Sequence, residues 1–352
     1  MTKIESVDKN FKVGKSITQE GVKYYDPLKA PFEINGLERH DGVFCRLNPA
    51  VAEKVSDGVK YLNYHNAGGR IRFKTDSSFI VVSAKYADVG KMPHFAFSGS
   101  IGFDLYVDNR YSGTFMPSVD ITDTLESILY IGNNGVREIV IDFPLYSSIK
   151  DVALGIDEKT SLYAPTPYIN DKPIVYYGSS ITQGGCASRP GMAYQAIISR
   201  EFNVDFINLG FSGSAKAEDV MIDYIAGLDM SLFVYDYDHN APSTEHLSAT
   251  HEKMFLAIRK AHPDMPIVMM SRPKKVRTDD EEKRIEIIRT TYQNALDRGD
   301  KNVYFLDGDD LTALCGQDGT VDNSHPTDLG FLSMAKALID LFNKEGLIKF
   351  IK

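Results

Sequence analysis

Five short apolar runs separated by helical patterns fill the chain from residue 174 onward. The runs are residues 174–177, 206–209, 232–235, 267–270 and 303–306. Helical patterns lie between them around residues 193–202, 217–226, 245–261 and 281–296, and a last one follows Leu329. Strands that alternate with helices predict an α/β fold, a parallel five-stranded sheet flanked by helices. In such a sheet, ligands bind beyond the carboxyl ends of the strands.

The first 160 residues follow a different period. Apolar and polar residues alternate in 70–74, 79–83, 103–107 and 138–143, as in half-buried strands. Turn residues separate these segments, and no helical pattern stands out, so we expect an all-β sandwich or jelly roll. Residues 164–173 contain three of the fifteen prolines and mark a boundary. We therefore predict a β-sandwich accessory domain over 1–165 and a catalytic domain over 172–352.

Composition excludes several classes of protein. Apolar residues make up 43% of the 352 residues, which is enough for a packed core. The net charge of −9, without a basic stripe, argues against nucleic acid or anionic membranes as partners. No apolar run resembles a secretory signal or a membrane span, so we expect a cytoplasmic protein. The three cysteines, Cys45, Cys186 and Cys315, match neither a disulfide framework nor a zinc spacing.

Polar residues that could catalyse acyl transfer follow the predicted strands. Ser180 comes directly after the first strand, a glycine-rich turn at 208–214 follows the second, and Asn240 lies after the third. Asp322 stands three residues before His325, a spacing that can fix the imidazole tautomer and leave Nε2 free. A nucleophile, a base, an orienting carboxylate and oxyanion donors are therefore all available at strand ends.

These residues resemble the conserved blocks of the SGNH (GDSL-type) esterases and lipases. The first block of that family, Gly-Asp-Ser-Leu-x-x-Gly, is similar to residues 178–184, Gly-Ser-Ser-Ile-Thr-Gln-Gly, with Ser179 in place of the aspartate. The fifth block, Asp-x-x-His, is met by Asp322 and His325. The resemblance implies a serine hydrolase without metal or cofactor, whose triad is Ser180, His325 and Asp322.

Two further blocks concern the oxyanion hole. The second-block glycine falls on Gly213, and the third block, Gly-x-Asn-Asp, resembles residues 238–241, although both flanking positions differ. The resemblance implies that the amides of Ser180 and Gly213 and the side chain of Asn240 hold the oxyanion. Residues 102–106, Gly-Phe-Asp-Leu-Tyr, resemble the signature of a subgroup with an N-terminal β-sandwich, whose relatives suggest carbohydrate or small-acyl esterases.

Structural interpretations compete with these roles. Ser180 could cap the following helix, and Asn240 could only shape its loop. Arg189 could orient an acyl or sugar group, or form a surface salt bridge. Cys186 is interpreted as a small buried side chain, because no histidine is paired with it in the sequence. A loop containing Met92 and His94 could reach the second domain.

Other histidines compete with His325 for the role of the base. They are His239, His246 and His251, of which the last two lie on a predicted helix and are expected to be solvated. The leading hypothesis is a serine esterase that removes a small acyl group, such as O-acetyl, from a carbohydrate. An acyltransferase with the same triad and an inactive sugar-binding protein are the alternatives. Neither acyl length nor oligomeric state follows from the residues.

Overall fold

The computed structural model describes residues 4–8 and 17–351 of the chain. The start of the predicted N-terminal domain, residues 1–3 and 9–16, and Lys352 lie outside the described residues. The strands are β1 Val22–Tyr25, β2 Glu33–Asn35, β3 Glu38–His40, β4 Val43–Cys45, β5 Arg70–Thr75, β6 Phe79–Asp88, β7 Phe103–Val107, β8 Arg110–Phe115, β9 Thr124–Tyr130, β10 Arg137–Asp142, β11 Ser148–Asp157, β12 Leu162–Tyr163, β13 Ile174–Gly178, β14 Phe206–Gly210, β15 Leu232–Asp236, β16 Ile267–Met270 and β17 Val303–Leu306.

The helices are α1 Ile4–Val7, α2 Pro49–Val55, α3 Asp57–Leu62, α4 Phe97–Ser100, α5 Ser180–Gln183, α6 Tyr194–Phe202, α7 Asp219–Ala226, α8 Thr244–Ala261, α9 Asp279–Asp297, α10 Gly308–Leu311, α11 Asp328–Lys344 and α12 Ile348–Ile351. Short 3₁₀ turns cover Pro190–Met192 and Gly316–Gly319. Within the described part of the chain, none of these helices is both long and apolar enough to cross a bilayer.

The second half of the chain forms the predicted five-stranded parallel sheet. Its order is β14-β13-β15-β16-β17, which is the 2-1-3-4-5 order of flavodoxin-like folds. Strands β13 and β15 are buried along their whole length, and β14 is buried at every position except Ile207, as their continuous apolar sequences require. Helices α6, α7, α8 and α9 begin within two residues of their predicted starts. The last predicted helix corresponds to α11, which begins at Asp328. The predicted fold of this half is confirmed.

The first half contains two antiparallel sheets packed around a core of their own. One has the order β1-β11-β6-β9 and the other β12-β5-β10-β7-β8, with β2 added on β5. The shared core contains alternate residues of these strands, including Phe73, Val82, Leu105 and Ile141, all fully buried. The alternation of apolar and polar residues therefore gives each sheet one buried face. The two buried faces pack against each other, and the predicted β-sandwich is confirmed.

The expectation of no helix in this half was wrong. Helices α2, α3 and α4 interrupt the strands, and α2 starts where Asn48 accepts a hydrogen bond from the amide of Ala50 at 2.9 Å. Pro49 follows at the first helical position, where its missing N–H is harmless. An asparagine cap followed by proline is a recognisable start signal, but a helix of seven residues shows little periodicity.

Segments of the first half also complete the core of the parallel sheet. Leu47, Ala52 and Val59 belong to the same buried cluster as Phe211 on one face of that sheet. Tyr146 belongs to the cluster on the other face. Residues of the first half therefore contribute to the buried core on both faces of the parallel sheet.

Candidate active site

Ser180 lies at the point where strand β13, an interior strand of the parallel sheet, is followed by helix α5. The cap of this helix is Ser179, whose hydroxyl accepts the amide of Ile181 at 3.1 Å. Ser180 is the first helical residue and its side chain has no capping role, in contrast to the capping alternative. Its amide, as the first in the helix, has no carbonyl partner within the helix. Ser180 is 8% exposed, so this residue is almost completely covered by its neighbours.

The structure brings the hydroxyl of Ser180, the imidazole of His325 and the carboxylate of Asp322 into hydrogen-bond contact, one after the other. The Oγ of Ser180 lies 3.0 Å from Nε2 of His325. On the other side of the ring, Nδ1 lies 2.7 Å from Oδ2 of Asp322. Ser180 from the end of β13 and the pair Asp322 and His325 from one turn before α11 therefore form a continuous series of hydrogen bonds. With the Nδ1 proton held by the carboxylate, Nε2 can accept a proton from the serine.

The loop that carries the imidazole is fixed by the same carboxylate. Oδ1 of Asp322 accepts the amides of Ser324 at 3.0 Å and of His325 at 2.7 Å. Partial burial opposes ionisation of Asp322, but the hydrogen bonds from the backbone and ring of His325 outweigh it and lower the pKa of the carboxyl. From the neighbouring strand end, Arg272 donates to the hydroxyl of Ser324 at 2.6 Å. The carboxylate is therefore ionised at neutral pH and positions both the ring and its loop.

Gly213 and Asn240 lie on the two turns that flank Ser180. Gly213 has φ +65° and open space where a side chain would be, so this turn leaves its backbone accessible. Asn240 donates one N–H of its amide to the carbonyl of Phe211 at 3.1 Å, which ties the two turns together and leaves its second N–H. Gln183, from α5, accepts the amide of Ser212 at 3.0 Å and links the glycine turn to the serine helix.

The other histidines make contacts away from Ser180. His239 lies 2.9 Å from Oδ1 of Asp238, and His246 lies 2.8 Å from the carbonyl of Lys216. The expectation that His251 is solvated was wrong, because it is 1% exposed and stacks on Tyr235 with ring centroids 4.8 Å apart. Burial lowers the pKa of His251 to about 3, so this imidazole is neutral. His251 lies on the buried, mostly apolar face of helix α8, and its polar side chain concealed this position in the sequence.

Arg189 lies between the two halves of the chain. Its guanidinium donates to Asp104 Oδ2 at 3.0 Å and stacks over the ring of Tyr111 at 3.8 Å. Asp104 is fully buried and belongs to the segment 102–106. Of the two alternatives for Arg189, the structure forms the salt bridge, but with a buried carboxylate at the domain interface.

The sandwich also reaches the serine loop, through residues 92–94 and 146. The hydroxyl of Tyr146 donates to the carbonyl of Ser180 at 3.3 Å. Met92 packs against the core of the parallel sheet, and the ring of His94 lies with its centroid 5.7 Å from that of His325. The predicted reach of this loop into the second domain is therefore observed. Cys186 is 9% exposed, as expected of a small buried residue, but two histidines stand beside it.

Asp236 is a buried carboxyl beneath the serine turn that sequence reasoning missed. It ends strand β15, is 1% exposed, and accepts hydrogen bonds from the Thr182 hydroxyl and the Ser179 amide. Burial, with a smaller contribution from the charge of Asp238, raises the pKa of Asp236 to about 8 against the opposing hydrogen bonds. A side chain at Gly178 would overlap its Oδ1. The sequence places Asp236 directly after the predicted strand 232–235, where a polar residue is ordinary, so nothing in the local pattern indicated that this carboxyl is buried.

We expect Asp236→Asn to stabilise the protein increasingly as the pH rises. A carboxyl whose pKa is about 8 when folded and 3.8 ordinarily contributes its full stability below pH 3.8, and that contribution is lost as the pH rises through 8. Asparagine keeps the accepting oxygen and is neutral throughout. The melting temperature of the variant, relative to that of the wild type, should therefore increase between pH 5 and pH 8.

Asp238→Asn is the matched control with the opposite sign. The pKa of this buried carboxyl is lowered because hydrogen bonds from His239 and the amide of Arg272 outweigh burial. Its stabilising effect is present above the ordinary pKa of 3.8 and is lost at lower pH. The control should lose stability at pH 8, and equal melting shifts for both variants at both pH values would contradict the assignment of Asp236.

Two family descriptions match the chain. The GDSL-like Lipase/Acylhydrolase family matches residues 171–343, and the N-terminus of SGNH-hydrolase-type esterases matches residues 22–162. No curated protein matches the chain.

Solved structures resemble both halves together. A protein from Bacteroides ovatus ATCC 8483 described as a GDSL-like lipase is 29% identical, with 93% of this chain and 98% of that chain covered and a TM-score of 0.81. A salicylyl-acyltransferase from a tetracycline biosynthetic pathway is 19% identical, with 95% and 100% covered and a TM-score of 0.77. A family two carbohydrate esterase from Clostridium thermocellum, solved with cellohexaose, is 16% identical, with 90% and 99% covered and a TM-score of 0.61. The chain therefore belongs to the GDSL-like lipase/acylhydrolase family and is an SGNH-type ester hydrolase with an N-terminal β-sandwich.

Proposed function

We propose that this protein removes short acyl groups, in particular O-acetyl groups on a carbohydrate, through an acyl-enzyme on Ser180. The observation that carries the proposal is the 3.0 Å contact between the Ser180 hydroxyl and Nε2 of His325, continued at 2.7 Å to Asp322. Ser180 attacks the ester carbonyl while Nε2 takes its proton. The imidazolium then protonates the leaving alcohol, and a water activated by the same nitrogen releases the acid.

The oxyanion of the tetrahedral intermediate would be held by three donors. They are the amides of Ser180 and Gly213 and the side chain of Asn240, which lie on turns at the ends of neighbouring strands. The hydrogen bond from Asn240 to Phe211 supports this role, because it orients the side-chain amide before substrate arrives. A donor that is already oriented does not have to reorganise in the transition state.

The preference for a short acyl group rests on the surroundings of Ser180. This residue is 8% exposed, and the buried Tyr146 of the sandwich packs beside it and donates to its backbone carbonyl at 3.3 Å. A long acyl chain would need an apolar groove beside the hydroxyl, whereas an acetyl group needs space for one methyl. The proposal that the alcohol is a carbohydrate is supported by solved structures of this fold. One is a carbohydrate esterase with bound cellohexaose, and another is an acetyl xylan esterase.

A substrate panel tests the proposal. We expect kcat/KM to fall by about 10²-fold or more from p-nitrophenyl acetate to the octanoate, because the longer chain must displace packed side chains. Acetylated xylan and acetylated monosaccharides should release acetate. Equal or greater activity on octanoate would contradict the short-acyl assignment. Addition of an alcohol acceptor with analysis of the products separates hydrolysis from acyl transfer, since both proceed through the same acyl-enzyme.

A further inference from the structure

Three soft metal-ligating side chains from separate parts of the chain meet beside Ser180. One ligand atom from each of His94, Cys186 and His325 lies within 4.8 Å of the other two. His94 comes from the sandwich, Cys186 follows the serine helix, and His325 comes from the loop before α11. The spacing of these residues in the sequence has no metal pattern, so only the fold reveals the cluster.

The chemistry of this donor set favours zinc and similar ions. Imidazole and thiolate ligands suit Zn²⁺, Co²⁺ and Cu ions, whereas Mg²⁺ and Ca²⁺ require oxygen ligands. Around a tetrahedral zinc with ordinary bond lengths, such ligand atoms lie roughly 3.3–3.6 Å apart. His94 is exposed on a loop, so a small rotation of this ring can close the remaining distance.

The surroundings of His325 already have the form of a metal-binding histidine. Its Nδ1 is held by Asp322 at 2.7 Å, which leaves Nε2 as the nitrogen that faces the cluster. Histidine ligands in metal sites commonly donate their second ring nitrogen to a carboxylate in this way. The carboxylate also supplies negative charge beside the cation.

The backbone at Cys186 supports a role for the thiol. Its φ is +75°, a conformation that glycine adopts easily and that costs other residues conformational energy. Two glycines directly precede it, at 184 and 185. Cys186 borders the buried cluster on one face of the sheet, and its Sγ lies within 4.8 Å of a ring nitrogen of each of the two histidines.

We propose that Zn²⁺ binds reversibly to His94, Cys186 and Nε2 of His325 and thereby switches off the hydrolase. Binding replaces the thiol proton of Cys186, which is released to solvent, and leaves a fourth position for water. The bound nitrogen of His325 has no lone pair left to accept the proton of Ser180. The inhibition rests on the proposed role of His325, but the binding does not.

Cobalt binding to the Ser180→Ala protein tests the site without using activity. This variant keeps all three ligands, and a thiolate-to-cobalt charge-transfer band should appear when Co²⁺ is added to the reduced, chelator-treated protein. Adding Cys186→Ser should abolish the band, and adding His94→Ala should weaken cobalt binding by at least about tenfold. Cys315→Ser, which removes a cysteine outside the cluster, is the control and should keep it. Absence of the band, or its persistence without Cys186, would overturn the proposal.

Inhibition of esterase activity tests the consequence. Zn²⁺ should inhibit the wild type and EDTA should restore it, whereas Mg²⁺ should have no effect. His94→Ala and Cys186→Ser should retain activity without metal and need at least about tenfold more Zn²⁺ for half inhibition. Equal sensitivity of all variants would overturn the site. A cobalt band with no inhibition by zinc would retain the site and instead contradict the proposed role of His325.

Discussion

Replacement of Ser180 by alanine is expected to lower kcat/KM for p-nitrophenyl acetate by about 10⁴-fold or more. The variant has no hydroxyl to form the acyl-enzyme, and the imidazole 3.0 Å away has no proton to take. Activity should not fall to the uncatalysed rate, because the oxyanion donors still stabilise attack by water. A fluorophosphonate probe should label the wild type at Ser180 and leave the variant unlabelled.

This loss should occur in a folded protein. The side chain of Ser180 makes its hydrogen bond only with His325 among the described residues, and Ser179 caps the helix. Alanine at the first helical position keeps that cap, so the melting temperature should change by no more than a few degrees. Ser231→Ala, at the opposite end of the same sheet, is the matched control and should keep full activity. Ser180→Ala protein with more than a tenth of wild-type kcat/KM would exclude Ser180 as the nucleophile.

The parallel sheet was predictable because each of its strands is a continuous apolar run bounded by turn residues. Strands β16 and β17 have the predicted limits, and β13, β14 and β15 extend one residue further. The extra residue of β15 is Asp236, a buried carboxyl that polarity alone assigns to a loop. The strand order depends on which distant segments pair with each other, and the apolar runs alone do not indicate it.

The parts that sequence reasoning missed depend on contacts between distant segments. The helices α2 and α3 are too short to show a period, yet they complete the core of a sheet that begins more than a hundred residues later. His251 is buried because Tyr235 and Tyr237 stack on its ring, which no local pattern records. Likewise, Cys186 gains His94 as a neighbour only when the sandwich packs beside the serine loop, and it gains His325 only when the loop before α11 folds back onto that loop.

The candidate triad illustrates the opposite case. Asp322 and His325 are three residues apart in one turn, so their contact is nearly a local property. Ser180 lies at a strand end, where the sheet itself determines the direction of the side chain. A local turn and the topology of a parallel sheet therefore determine most of the geometry of this candidate site. Both can be inferred from the sequence.

Asp322→Asn is expected to lower kcat by about 10³–10⁴-fold with little change in KM. Asparagine can still accept the amides of Ser324 and His325 through its oxygen, so the loop should keep its shape. Its NH₂ group then faces Nδ1 of His325 and can pair only with the tautomer that carries the proton on Nε2. In that tautomer the nitrogen 3.0 Å from the Ser180 hydroxyl is a donor and no longer takes the serine proton.

The split between kcat and KM separates this positioning role from a merely structural one. The pKa of Asp322 is lowered in the folded protein, so its carboxylate stays charged wherever the neutral imidazole is the active form, and loss of that charge should destabilise the imidazolium formed in the reaction. A variant that simply disordered the loop would also lose substrate affinity and melting temperature. Asp318→Asn, an exposed aspartate in the preceding 3₁₀ turn, should leave both constants unchanged. If Asp322→Asn lost less than tenfold in kcat, a group other than this carboxylate would have to orient His325.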